Sequence, residues 1–99
     1  MLEEIKNIIH SIAPNAEVYL FGSRARKDAR KDSDWDILVL LNEDGNLKLQ
    51  EREIVNKLYD LEVEKEIAIN PVVYAKKQWE GIMSASPLHQ NIEEEGIKI

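Results

Sequence analysis

The apolar positions change period several times along the chain, and each change marks an element. Leu2, Ile5, Ile8, Ile9 and Ile12 recur at helical spacing and Pro14-Asn15 supplies a stop, predicting an amphipathic helix over roughly the first thirteen residues. Val18-Tyr19-Leu20-Phe21 is apolar on both faces of a strand, as an interior strand requires, and it ends at Gly22. Asp36 to Leu41 reads as a second buried strand, closed by the turn formers Asn42-Glu43-Asp44-Gly45. From Asn46 to Leu61 one stripe of Leu47, Ile54, Val55, Leu58 and Leu61 predicts a long helix. Glu66 to Tyr74 returns to strand character, with Pro71 placing it at an edge or bulge.

Two weaker helical segments close the chain. Lys76-Lys77-Gln78-Trp79 predicts a short helix. Ser86 can cap another, with Pro87 at its first position, Gly96 at its end, and Glu93 to Glu95 as a solvated terminus. Between the first two strands, Gly22 to Ser33 has no apolar period and reads as a loop or helical turn, with Ser23 as the cap of a short helix through Asp28.

Composition narrows the function classes. Ninety-nine residues, 43% hydrophobic and 32% charged, describe one domain over 1–99, small enough that a homo-oligomer or a companion chain is a reasonable expectation. The net charge of −6 argues against general nucleic-acid binding, yet Arg24, Arg26, Lys27, Arg30 and Lys31 make one basic loop in an acidic protein. No cysteine is present, which excludes thiolate chemistry and fits a reducing, cytoplasmic setting. The longest aliphatic run, Ile37 to Leu41, is too short to span a membrane.

The chemistry concentrates between Val18 and Leu41. A glycine directly after a strand lets backbone N–H groups approach a phosphate, and the Ser23 hydroxyl and the side chains of Arg24, Arg26 or Arg30 add donors. Asp34 and Asp36, two apart at a strand entrance, project from the same face roughly 6–7 Å apart along the chain. Such paired hard oxygens suit Mg²⁺ or Mn²⁺ shared with substrate phosphates. A lone Gly-Ser after a strand is an ordinary turn; the aspartate pair at this spacing reverses that reading. Trp35, between the aspartates, faces the core, and His10 and His89 lack neighbouring ligands.

Phe21-Gly22-Ser23-Arg24-Ala25-Arg26, followed by Ser33-Asp34-Trp35-Asp36 with twelve positions from Gly22 to Asp34, resembles the minimal nucleotidyltransferases of the DNA polymerase beta-like superfamily. The resemblance implies an α+β fold, a small mixed β-sheet packed by helices. It implies transfer of a nucleoside monophosphate, AMP from ATP for example, to a hydroxyl, with two divalent ions at Asp34 and Asp36. Gly22, Ser23, Arg24, Arg26 and Ser33 become the nucleotide-binding candidates. Minimal members often pair with a helical HEPN-type ribonuclease as toxin and antitoxin, some by attaching AMP to the partner's tyrosine.

Two positions depart from the family pattern. Lys27 stands where many relatives have glycine, predicting a differently shaped loop. Active relatives also place a third carboxylate on the next core strand. On Glu66 to Pro71, alternation puts Glu66, Ala68 and Asn70 on one face, so Glu66 is the candidate third acid. Without it, the alternative function is a catalytically weak nucleotidyltransferase-fold subunit that binds and neutralises a partner.

Overall fold

The structure, a computed structural model, describes residues 1–42 and 45–99. The order is α1 (Leu2–Ile12), β1 (Glu17–Phe21), α2 (Ser23–Arg26), β2 (Trp35–Leu41), α3 (Leu47–Lys65), β3 (Ile69–Ala75), α4 (Lys76–Glu80), a 3₁₀ turn (Ile82–Ala85), α5 (Pro87–Glu95) and β4 (Ile97–Lys98). Glu43 and Asp44 of the expected turn after β2 lie outside the described residues.

The strands form one sheet in the order β3-β2-β1-β4. β1 runs antiparallel to β2 and β4, whereas β2 and β3 are parallel and joined through α3, so the sheet is mixed and the fold is α+β. β3 is an edge strand, which accommodates the missing N–H of Pro71.

Alternation along β2 sorts its aliphatic run into two layers. Ile37, Val39 and Leu41 pack with Ile5 and Ile9 of α1 and with Ile54, Leu58 and Leu61 of α3. Leu38 and Leu40 point the other way, against Trp79 of α4 and Ile92 of α5, with Tyr19, Phe21, Val72 and Tyr74 around them. Both faces are covered, which is why five consecutive residues of β2 are buried.

Polar side chains start two of the helices. Asn46 caps α3 by accepting from the Leu49 N–H at 3.0 Å. Ser86 caps α5 by accepting from the His89 N–H at 3.1 Å, with Pro87 at the first position and Gly96 after the last. Two expectations are corrected and one element is added. α3 continues through Lys65 and Glu66 closes it in a left-handed conformation (φ 55, ψ 47), so the third strand starts at Ile69. The chain end adds a strand, β4, that two residues of sheet pairing reveal and no local pattern announces. The glutamate run is not wholly solvated: Glu93 and Glu94 are exposed, but Glu95 is partly buried. Among the described residues no helix is long and apolar enough to cross a membrane.

Candidate active site

The site lies where three strand ends meet. Because β1 and β2 are antiparallel and Phe21 pairs with Asp36, the turn that leaves β1 sits beside the entrance of β2. Because β2 and β3 are parallel and Asp36 pairs with Asn70, the entrance of β3 lies on the other side. Asp36 and Asn70 share the strand parity of Leu38 and Val72, so both belong to the layer covered by α4 and α5.

Gly22 is required there for two reasons. Its backbone (φ 75, ψ −157) lies in a region that L-residues rarely adopt, and a Cβ on it would sit 3.1 Å from Cγ of Asp36 and closer still to that carboxylate's Oδ2. The turn and the acid are thus in van der Waals contact. Across the site the Asn70 amide donates to Asp34 Oδ2 at 2.8 Å and to Asp36 Oδ1 at 3.1 Å. One NH₂ group reaches both carboxylates, so the two acids converge on a single point and the amide hydrogens relieve their repulsion.

That point fits a divalent cation. The positive edge of the Asn70 amide marks where charge is most welcome, and Asp34 is open to solvent. Among the described residues no three acids or histidines group as metal ligands, so the remaining coordination would come from water and substrate oxygens, as Mg²⁺ prefers.

The basic loop divides its arginines between two tasks. Arg24 Nε and Nη2 donate to the Ser33 carbonyl at 3.2 and 2.8 Å, Nη2 also reaches the Lys31 carbonyl, and the guanidinium lies 3.9 Å over the Trp35 ring. Arg26 faces outward and binds acids: Nε donates to Asp28 at 3.2 Å, and Nη1 to both oxygens of Glu95 at 3.1 and 3.2 Å. These carboxylates, Glu95 foremost, hold the guanidinium above its ordinary pKa.

The nucleotidyltransferase domain family matches residues 2–99. The chain belongs to this family. A Methanocaldococcus jannaschii relative, provisionally named a protein adenylyltransferase, is 33% identical over 78 residues, which are 77% of this chain and 78% of that protein. Two solved structures share the fold at 24% identity. One is a toxin–antitoxin crystallised with AMP-PNP (TM-score 0.65, covering 97% of this chain and 69% of that one). The other is a Sulfolobus solfataricus protein provisionally named a nucleotidyltransferase (TM-score 0.59, 98% and 74%). A mutant of the MntA–HpeT toxin–antitoxin also aligns with the whole chain at TM-score 0.65 and covers 71% of its own.

In this nucleotidyltransferase the structure brings together Gly22, Asp34 and Asp36, with Ser23 beginning α2 directly after the glycine. Ser23 does not cap that helix; Gly22 is the cap and Ser23 is the first helical residue. Ser33 spends its hydroxyl on the Arg30 N–H at 2.7 Å, and Arg24 spends donors on the loop's own carbonyls, so both shape the loop. Lys27, where the family resemblance has glycine, adopts φ 64, ψ 26, a left-handed conformation that glycine takes most readily.

Glu66 is not brought to the pair. It is exposed at the end of α3, outside β3, and forms no three-acid group with Asp34 and Asp36. Strand alternation does not extend to Glu66, because that residue is itself left-handed and breaks the extended backbone that alternation requires. Asn70, on the face the sequence marked as polar, stands at the position opposite Asp36. Glu95 was hidden for a different reason: it meets Gly22 across 73 residues of sequence, with no local pattern to announce it.

Proposed function

We propose that this nucleotidyltransferase moves AMP from ATP to a hydroxyl group on a protein, with Asp34 and Asp36 holding divalent cations. The observation that carries the reading is the convergence of these two carboxylates beside Gly22, bridged by one amide. The relative named a protein adenylyltransferase supports AMP and a protein acceptor. The toxin–antitoxin neighbours support a partner chain as that acceptor, of the helical HEPN type implied by the family resemblance.

The bound cations, two in the family's reaction, supply Lewis-acid charge at the phosphoryl oxygens. The Gly22 N–H, the Ser23 hydroxyl and Arg26 grip the β- and γ-phosphates, so the α-phosphorus lies over the acids. The acceptor oxygen bonds to that phosphorus as pyrophosphate leaves, and its proton is lost to solvent at this open end. A half-turn of the Asn70 amide would direct Oδ1 instead of Nδ2 at the point between the acids, a neutral oxygen in place of a third carboxylate.

Asn70 also favours a second reading, in which the chain binds nucleotide and partner with little turnover. Incubation with Mg²⁺ and radiolabelled ATP, with the adjacent gene's product as acceptor, separates the two. Label on the acceptor, lost in Asp34→Asn and Asp36→Asn, is expected for the enzyme. Absence of label, with both variants still silencing the partner, would establish the binding subunit.

A further inference from the structure

Glu95, the last residue of α5, reaches across the molecule to the turn after β1. Its Oε1 accepts from the Gly22 N–H at 3.3 Å and from Arg26 Nη1 at 3.2 Å, and its Oε2 accepts from the same nitrogen at 3.1 Å. The backbone N–H and the guanidinium are the donors assigned above to the triphosphate. A carboxylate is a compact anion with two acceptor oxygens, so it satisfies the donors that a phosphate would take.

The contact is delivered by the fold. Ile92, one turn earlier, is buried against the sheet, and Ile97, two residues later, pairs with Leu20. Anchored on both sides, the Glu95 side chain is only 24% exposed, against 47% for that of Arg26. Its own torsions nevertheless allow it to swing into solvent while α5 stays docked. Both of its partners at the turn are hydrogen-bond donors, which puts Glu95 on the anion side of the site.

We propose that Glu95 is a built-in competitor for the triphosphate: it occupies the grip of Gly22 and Arg26 in the free chain and has to leave before nucleotide seats. This rests on the reading of the Gly22 turn as a phosphate grip. The competitor lowers nucleotide affinity by the strength of one partly exposed, charge-assisted contact, and it keeps Arg26 placed near the turn while the site is free.

Calorimetric titration with inorganic tripolyphosphate tests it. Glu95→Gln and Glu95→Ala should each bind about three- to tenfold tighter than wild type. Glu94→Gln, the same charge change at an exposed neighbour, should stay within about twofold of wild type. Equal or weaker binding by both Glu95 variants, with wild type binding measurably, overturns the competitor and leaves the grip standing. An equal gain in Glu94→Gln also overturns it, as a general charge effect. If no form binds, the grip fails and the competitor falls with it.

Discussion

The two faces of the sheet do different work. On one, α1 and α3 lay Ile5, Ile9, Ile54 and Leu58 over Ile37 and Val39, all at 0–1% exposure. On the other, the shorter α4 and α5 cover Leu38 and Leu40 with Trp79 and Ile92, and polar groups occupy both ends. Asp34, Asp36 and Asn70 stand at one end. Near the other, Glu17 accepts from the Tyr19 hydroxyl at 2.8 Å and pairs with Lys76 and Lys98. The difference shows how a chain of 99 residues can carry both a core and a reactive site.

The largest effects should divide along these faces. Asp36→Asn should lower label transfer at least about a hundredfold while leaving the melting temperature unchanged or slightly raised, since a buried-edge charge is removed. Ile54→Ala should do the reverse: a loss of about 2–5 kcal/mol in denaturant unfolding, with turnover per folded molecule intact. Matching losses of stability in both variants would erase the distinction between the faces.

Gly22→Ala couples the two quantities, because the new Cβ meets Asp36 and the backbone is in glycine territory. A stability loss of about 1–3 kcal/mol together with a loss of transfer is expected, measurable by unfolding and labelling on the same sample. Asn70→Asp adds a third carboxylate at the same point. It should tighten Mn²⁺ binding about tenfold, read by calorimetry without nucleotide, because charge count sets affinity at hard-oxygen sites. Unchanged affinity would mean that residue 70 does not face the cation.

The smallest effect lies at the far end. The Lys76 ammonium, then the Tyr19 hydroxyl, hold the Glu17 carboxyl below its ordinary 4.5, while burial and Glu17 push the Tyr19 phenol up to about 12. A depressed carboxylate contributes stability above its unfolded pKa and loses it as pH falls through its folded one. Glu17→Gln should therefore melt about 1–3 °C lower than wild type at pH 7, discounted because the Lys76 side chain is 41% exposed. The gap should close as the pH drops below 4.5. A gap that persisted in acid would remove Glu17 from this account.

Much of the site was legible because its pieces are short and local. Gly22 and the alternation of Asp34 and Asp36 follow from the chemistry of one turn and one strand entrance, and the structure keeps the two acids on one face. Glu66 was misplaced by the same logic, carried three residues past the point where the backbone stops being a strand. The family resemblance prefers Arg26 to Arg24 as the side-chain phosphate contact; in the fold the Trp35 ring and the Ser33 carbonyl engage Arg24, while Arg26 pairs with Asp28 and Glu95.

The sequence by itself determined α1, the start of α3, the two buried strands and the Ser86 cap of α5, and it marked Gly22, Asp34 and Asp36 as candidates for phosphate and metal. Those depend on interactions a few residues apart, where periodicity and side-chain chemistry suffice. Only the tertiary structure decided that Asn70 faces Asp36, that β4 pairs with β1, and that Glu95 meets the Gly22 turn. Strand register and helix docking are set by burial summed over distant segments, so no local pattern contains them.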